Sequence, residues 1–146
     1  MIVDTSAILA ILYDEADSVS LVHAIASGRP RLMSAASYLE AAIVVDRSQD
    51  PVVRARLDEL LGSLDIEIAP VTAEHARIAR QAHHSFGRGR GHPARLNFGD
   101  CFAYALAKER NEPLLFKGDD FGQTDIPLVG RREERQRLSE ALAGYG

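Results

Sequence analysis

Apolar and polar residues follow one another along this chain in blocks that predict short buried strands, each leading into a helix. In the first block, the apolar run Met1-Ile2-Val3 ends at Asp4, and two hydroxyl residues and several strong helix formers follow. This pattern predicts a buried strand that stops at Asp4 and a helix that begins at Thr5 or Ser6. Ligands gather at the carboxyl ends of strands in open parallel sheets, so Asp4 is placed either for chemistry or merely to cap the helix.

The same alternation of strand and helix patterns continues to the end of the chain. Further strands are predicted over residues 31–33, 66–69, 113–116 and 126–129. Further helices are predicted over residues 18–27, 35–48, 51–62, 72–84, 97–110 and 131–143. This order of elements predicts an α/β protein with a mostly parallel sheet, in a single domain that spans residues 1–146.

The composition is that of an ordinary globular protein, with 46% hydrophobic and 26% charged residues. The single cysteine, Cys101, excludes an internal disulfide framework, and we expect a packed core thiol in a reducing cytoplasm. We expect neither export nor membrane insertion, because no suitable apolar run is present. The net charge of −4 argues against a simple nucleic-acid binder, although acids that hold metal cations would lower the formal charge while the occupied site attracts phosphate.

Acidic residues stand in unusual settings at four places in the sequence. Asp4 follows one apolar strand, and Asp119 and Asp120 follow another. Glu40 and Asp100 lie on predicted helices, among small or apolar residues. Because desolvating an unpaired carboxylate costs on the order of several kcal/mol, such a set is tolerated best when a divalent cation neutralises it. Any one of these acids could instead be a helix cap or a solvated charge, and only the joint pattern favours a metal site.

Carboxylate and water ligands favour Mg²⁺ or Mn²⁺ over zinc. The chemistry suited to such a site is phosphodiester hydrolysis, in which one metal lowers the pKa of a bound water and one or two metals stabilise the transition state. No protein nucleophile or separate histidine base is then needed. The histidines His83, His84 and His92 have neither the cysteine partners nor the regular spacing of a zinc site.

A glycine–arginine segment over residues 85–95 interrupts the alternation and is predicted to be irregular. The segment leads directly into the helix that carries Asp100. The side chains of Arg88, Arg90 and Arg95 could therefore follow an RNA backbone beside the acids, since phosphate contacts dominate nucleic-acid affinity. The alternative is a solvated loop without a ligand.

Four segments of the chain resemble those of PIN-domain proteins, and more closely those of the VapC toxins of bacterial type II toxin–antitoxin systems. They are Asp4-Thr5-Ser6-Ala7 after an apolar strand, SAASYLE at 34–40, LNFGDCFAYALA at 96–107 and LLFKGDDFGQTDI at 114–126. The resemblance covers nearly the whole chain, and the last two segments are its most specific parts.

The resemblance implies a PIN-like fold, a three-layer α/β/α sandwich with a central, mostly parallel sheet. It also implies a Mg²⁺- or Mn²⁺-dependent endoribonuclease, usually a homodimer, silenced by a VapB antitoxin that inserts a C-terminal segment into the active-site groove. Because the groove is acidic, we further expect the bound partner to present a basic side chain, an arginine, to it.

The resemblance also assigns roles by position. Asp4, Glu40 and Asp100 match the three principal acids of the family. The fourth acid is either Asp119 or Asp120, since many relatives have an earlier acid where this chain has a glycine. The match to the motif favours Asp120.

Three polar residues match positions that support the site in the family. Thr5 and Ser6 match the hydroxyl residues that follow the first acid. Asn97 matches the polar residue one helical turn before Asp100, and the two share a helix face because they are three residues apart.

Two other functions stay open at this point. The first is an aspartyl-phosphate phosphatase of the haloacid dehalogenase type, which also begins with an apolar strand and an aspartate. That chemistry needs a second acid two residues later, where this chain has Ser6. The second is a catalytically silent RNA- or partner-binding module, which has little reason to concentrate negative charge in a phosphate groove.

Overall fold

The computed structural model describes residues 1–130, and its strands and helices alternate as the sequence predicts. The strands are β1 (Ile2–Val3), β2 (Leu32–Ser34), β3 (Glu67–Ala69) and β4 (Leu114–Leu115). The helices are α1 (Thr5–Leu12), α2 (Ser18–Ala26), α3 (Ala35–Asp46), α4 (Pro51–Ser63), α5 (Ala73–Phe86) and α6 (Phe98–Arg110). A short 3₁₀ helix, Asp120–Gln123, follows β4.

The sheet has the order β3-β2-β1-β4, and each neighbouring pair of these strands is parallel. In the register, Ile2 of β1 lies between Leu32 of β2 and Leu114 of β4. The predicted α/β class with a parallel sheet is therefore confirmed. As a consequence, the carboxyl ends of β1, β2 and β4 lie side by side. They form the edge of the sheet that runs across the strand ends.

Alternate strand residues face the two helical layers. Ile2, Leu32 and Leu114 belong to the apolar core formed with α5 and α6. Val3 and Met33, one residue further along, belong to the second core, formed with α1 to α4. Because successive side chains of a strand point to opposite faces, both faces of the sheet are covered. The three-layer α/β/α architecture is confirmed.

Capping residues define where the helices begin. Ser34 and Asp50 accept hydrogen bonds from the backbone N–H groups two residues later, and Thr72 accepts from the N–H three residues later. Pro51 occupies the first turn of α4, where its missing N–H costs nothing. The predicted starts are therefore correct to within a residue, whereas the ends differ by up to two residues, as for α3, which stops at Asp46.

One predicted strand is wrong. Within residues 126–129, only Leu128 bridges to Leu114, and no continuous ladder forms. Pro127 has no N–H to donate, although its carbonyl accepts from the N–H of Leu114 at 2.9 Å. Gly130, two residues after this bridge, has a φ of +91°. The predicted helix over residues 131–143 lies outside the described residues.

The glycine–arginine segment is irregular, as predicted, but it begins later and is anchored. Helix α5 continues through Phe86, so the first two residues of the predicted loop are helical. Gly87 and Leu96 form an isolated bridge, and the N–H of Arg88 donates to the carbonyl of Leu96 at 2.8 Å. The loop is thus closed at its base. Among residues 1–130, no helix has the length and apolar character needed to cross a membrane.

Candidate active site

Acids from distant parts of the chain meet at the edge where β1, β2 and β4 end. Asp4 directly follows β1, and its backbone N–H donates to the carbonyl of Leu115 in β4 at 2.9 Å. Glu40 lies on α3, which begins where β2 ends, and Asp100 lies in the first turn of α6. Asp120 follows β4. The parallel order of the strands therefore gathers these carboxylates at the edge where α/β proteins usually bind ligands.

Asp4 caps helix α1 and is also buried at the sheet edge. The residue is only 5% exposed. Its Oδ2 accepts from the backbone N–H of Ser6 at 3.0 Å and from the Ser6 hydroxyl at 2.7 Å. The two interpretations of Asp4, as a cap and as a site residue, are thus compatible, because both Ser6 bonds use the same oxygen and leave Oδ1 outside them.

Backbone groups that no sequence motif indicates hold this junction in place. The N–H of Lys117, just after β4, donates to the Ser6 hydroxyl at 2.9 Å. The hydroxyl of Thr5 donates to the carbonyl of Ser37 at 2.9 Å, in a buried contact. Ser37 lies about one turn before Glu40 on α3, so the start of α1 is fixed both to β4 and to the helix that carries Glu40.

Asp100 and Asn97 form a reciprocal capping box at the start of α6. The Asp100 N–H donates to Asn97 Oδ1 at 2.9 Å, and the Asn97 N–H donates to Asp100 Oδ2 at 2.9 Å. This is the arrangement in which two otherwise unpaired helix N–H groups are satisfied together. Asn97 thereby fixes the orientation of the Asp100 carboxylate without neutralising its charge.

Gly99 makes room for the carboxylate of Glu40. A Cβ atom added at Gly99 would lie 2.0 Å from Glu40 Oε2 and 2.8 Å from its Cδ. The acid of α3 therefore rests directly against the first turn of α6, next to Asp100. No sequence pattern singles out Gly99, because a glycine between an N-cap and an acid carries no signal until its spatial neighbour is known.

The charges at this edge perturb one another. Burial raises the pKa of Asp4 above its usual range; the hydrogen bonds from Ser6 oppose this increase, and the charge of Glu40 adds to it. Burial also raises the pKa of Asp100 to about 6, against the lowering effect of the Asn97 N–H. The charges of Asp4, Asp120 and Glu40 raise it further. Asp4, Glu40, Asp100 and Asp120 therefore lie close enough together to interact.

The two aspartates after β4, Asp119 and Asp120, differ in whether their charge acts on Asp100. Both are exposed. Asp120 is among the charges that raise the pKa of Asp100, whereas Asp119 is not. The geometry therefore brings Asp120 into the acid cluster, and it leaves Asp119 as the residue that precedes the 3₁₀ helix.

The donor set fits a hydrated divalent cation. Within residues 1–130, Asp4, Glu40, Asp100 and Asp120 form no ion pair with a lysine, arginine or histidine. In the same part of the chain, no three acid, histidine or cysteine side chains are grouped closely enough to hold one ion directly. Mg²⁺ usually binds proteins through one or two carboxylates and keeps several waters, so these acids suit an ion whose remaining ligands are water.

The arginine loop next to α6 is exposed and held between buried residues. Arg88, Arg90 and Arg95 are exposed, and none of them forms an ion pair within the described part of the chain. Arg95 has a φ of +50°, a left-handed conformation that is uncommon outside glycine. Its neighbours Ala94 and Leu96 are both fully buried, which fixes this turn of the backbone.

One cysteine and two tyrosines have structural roles, and the packed thiol predicted for Cys101 lies in the core. Burial raises the pKa of the Cys101 thiol to about 11, which leaves it protonated and unreactive at neutral pH. Tyr104 is buried and donates to Asp125 at 2.7 Å, and Tyr38 donates to Asp58 at 2.7 Å. These tyrosines join neighbouring elements.

Comparison with known proteins identifies related sequences over most of the chain. The family model of the PIN domain matches residues 1–127. Ribonuclease VapC28 of Mycobacterium tuberculosis is 56% identical over 126 residues, which cover 86% of this chain and 95% of that protein. Ribonuclease VapC42 of the same species is 47% identical over 126 residues, with 86% and 96% of the two chains covered.

Solved structures share the fold at low sequence identity. FitAcB from Neisseria gonorrhoeae has a TM-score of 0.67 at 18% identity, covering 88% of this chain and 96% of that one. VapC20 of M. tuberculosis, described as a toxin that cleaves the sarcin–ricin loop, has a TM-score of 0.66 at 18% identity, covering 86% and 95%. A toxin–antitoxin complex from Klebsiella pneumoniae has a TM-score of 0.61 at 16% identity, covering 82% and 88%.

The raised pKa of Asp100 predicts how the stability of the metal-free protein depends on pH. The folded protein favours protonated Asp100, so this group stabilises the fold below its unfolded pKa of 3.8, and the contribution is lost as pH rises through about 6. Asp100→Asn should therefore increase the free energy of unfolding at pH 7.5 by about 1–3 kcal/mol, with the gain vanishing near pH 4.

Urea denaturation in EDTA at both pH values measures this effect. Glu59→Gln, at an exposed position of α4, is the matched control and should change stability by less than about 0.5 kcal/mol at either pH. A loss of stability in Asp100→Asn at pH 7.5 would contradict the prediction.

Proposed function

This chain belongs to the PIN-domain family, and within it to the VapC ribonucleases, so we propose that it is the toxin of a type II toxin–antitoxin pair and an endoribonuclease. The observation that carries the proposal is the meeting of Asp4, Glu40, Asp100 and Asp120 at one sheet edge, with no cationic side chain paired to them within residues 1–130. We propose that the enzyme acts in the cytoplasm as a single domain and that its cofactor is Mg²⁺ or Mn²⁺, which oxygen ligands favour.

In this proposal the site residues have three different roles. Asp4, Glu40, Asp100 and Asp120 hold the hydrated cation, either directly or through its bound waters, with Asp119 as the less favoured alternative to Asp120. Ser6 and Asn97 orient the carboxylates of Asp4 and Asp100 through the hydrogen bonds described above, and Thr5 fixes α1 to α3. When bound, the metal supplies an activated water and a Lewis acid for phosphodiester hydrolysis.

The arginine loop binds the RNA substrate in this proposal. Arg88, Arg90 and Arg95 carry positive charge that the described residues do not neutralise, on a loop that leads into α6. Guanidinium groups suit phosphate because their planar donors match its oxygens. The base of the loop is anchored by the bridge between Gly87 and Leu96, which restricts the loop and lowers the entropic cost of binding.

We propose a VapB-type antitoxin as the protein partner. One structural neighbour was solved as a toxin–antitoxin complex. The acid cluster lacks a cation within residues 1–130, so a bound segment of the partner would gain most by presenting a basic side chain, an arginine, to it. Such a side chain would also exclude the metal.

We propose that a second copy of the chain covers an apolar face on α3 and α6. Leu39 and Ile43, four residues apart on α3, are 57% and 45% exposed, and Phe98 at the start of α6 is 80% exposed. The two helices pack against each other. Large apolar side chains grouped on neighbouring helices mark an interaction surface more often than an isolated one does.

Cleavage of RNA tests the proposed activity. The purified protein should generate new 5′ ends in a mixed RNA pool when Mg²⁺ or Mn²⁺ is present and none in EDTA. Asp4→Asn should reduce cutting at least about 100-fold, because the amide keeps the cap but loses the charge. Mapping of RNA 5′ ends by sequencing is the measurement.

Asp65→Asn, which alters an acid paired with Arg29 ahead of β3, is the control and should cut normally. Full activity in Asp4→Asn would refute the role of Asp4. Release of inorganic phosphate without new internal ends would favour the phosphatase, and binding without either product would favour the silent module.

Salt dependence tests the arginine loop. In the Asp4→Asn background, replacing Arg88, Arg90 and Arg95 by glutamine should make the slope of log association constant against log salt less negative. For single-stranded RNA the change should be about 0.7 for each phosphate that the loop no longer binds. Fluorescence anisotropy with a labelled oligonucleotide is the measurement. Glutamine at Arg54 and Arg56, exposed on α4, is the control. An unchanged slope in the loop variant would exclude a role for these arginines in phosphate binding.

Oligomeric state tests the apolar face. Ile43→Glu should convert a dimer to a monomer, because it places a charge in the centre of the proposed interface. Light scattering after size exclusion is the measurement. Val19→Glu, on the 68%-exposed position of α2, is the matched control and should leave the dimer intact. A dimer that survives in Ile43→Glu would locate the interface elsewhere.

A further inference from the structure

Lys117 lies beside the acid cluster without joining it. Its backbone N–H donates to the Ser6 hydroxyl at 2.9 Å, and that hydroxyl donates to Asp4 Oδ2 at 2.7 Å. The main chain of Lys117 is therefore only two hydrogen bonds away from the buried carboxylate. A lysine side chain is a flexible four-carbon stem with a compact charge at its end, so the Lys117 ammonium can change its position while the main chain stays fixed.

The ammonium of Lys117 is instead paired with two acids of the loop between α1 and α2. It forms ion pairs with Glu15 and, at 3.2 Å, with Asp17 Oδ1. This loop is itself fixed to its neighbours: the Glu15 N–H donates to the carbonyl of Ala10 at 3.0 Å, and the Ser18 N–H donates to the carbonyl of Glu15 at 2.9 Å. Glu15 and Asp17 are therefore held at defined positions just after the C-terminal end of α1.

We propose that Glu15 and Asp17 hold Lys117 away from the acid cluster and thereby keep the cluster available to a divalent cation. The inference rests on the proposed function, because it concerns the same cation. Without these partners, the ammonium would pair with Asp4 or with Asp120, which follows Lys117 closely in the sequence, and would compete with the metal. Lys117 is thus a positioning residue through its backbone and a potential competitor through its side chain.

Two acids are needed because each pair is weak. The side chains of Lys117, Glu15 and Asp17 are 40%, 42% and 40% exposed. An ion pair at such exposure contributes about 0–1 kcal/mol. One acid alone would leave the ammonium free for a large fraction of the time, whereas two acids on the same ammonium share the entropic cost of holding it. The loss of both should therefore have a larger effect than the loss of either.

A thermodynamic cycle on Mn²⁺ affinity tests the inference. Glu15→Gln combined with Asp17→Asn should weaken Mn²⁺ binding between about two- and tenfold, because the released ammonium competes for the carboxylates. Adding Lys117→Met to this pair should restore the affinity to within about twofold of the parent. Lys117→Met alone should change it by less than about twofold, since the lysine is already held elsewhere. Each variant keeps the backbone N–H that binds Ser6.

Titration calorimetry with Mn²⁺ alone, without RNA, provides the affinities, and thermal melting in EDTA verifies that each variant folds. The control is Asp65→Asn, which releases Arg29 ahead of β2 at the opposite edge of the sheet and should leave Mn²⁺ affinity unchanged. If net charge alone governs binding, Lys117→Met will strengthen it by the same factor in both backgrounds, and that additivity would overturn the inference. If the parent protein binds no Mn²⁺, the proposed function itself fails, which is a separate result.

Discussion

The burial of the Asp4 carboxylate at the end of β1 is the constraint on which the rest of this structure depends. The residue is only 5% exposed, so its carboxylate loses most of its hydration, and the neighbouring charge of Glu40 increases the cost of ionising it. A lysine or arginine beside this group would compensate its charge. Within the described residues no lysine or arginine pairs with these acids, so the edge of the sheet keeps a negative potential that attracts an added cation.

The groups that orient these acids are neutral. Ser6 and the backbone N–H of Lys117 form a chain of hydrogen bonds to Asp4, and Asn97 performs the same task for Asp100. Elsewhere, acids are paired with charged partners, as in the pairs of Asp65 with Arg29 and Asp125 with Lys108. Neutral and cationic hydrogen-bond donors affect a carboxylate differently. A neutral donor fixes the direction of a carboxylate and leaves its charge available, whereas a cationic donor would consume that charge.

The elements and the acids could be predicted because local signals determine them. Apolar runs, Ser34, Pro51 and Asn97 define strands and helix starts, and Asp4 stands out because it interrupts a buried strand. Contacts between distant segments left no such signal: Gly99 beside Glu40 and the N–H of Lys117 on Ser6 depend on the packed arrangement. The strand predicted over residues 126–129 was wrong for a related reason. Its apolar residues do pack in the core, but Pro127 limits the pairing with β4 to a single bridge.

Helix starts at the acid edge supply part of the missing positive charge. Helices α1, α3 and α6 all begin there, after Asp4, Ser34 and Asn97. A helix N-terminus carries the equivalent of about half a positive charge, which falls off within the first turn. Asp4 and Asp100 lie inside that range because they are also capping residues. The parallel topology that brings the acids together also brings together the helix dipoles that make their burial tolerable, without placing a full cation at this edge of the sheet. Because partial charges fixed in the backbone cannot move onto the carboxylates, they stabilise the acids without competing for a metal, which is what distinguishes them from the side chain of Lys117.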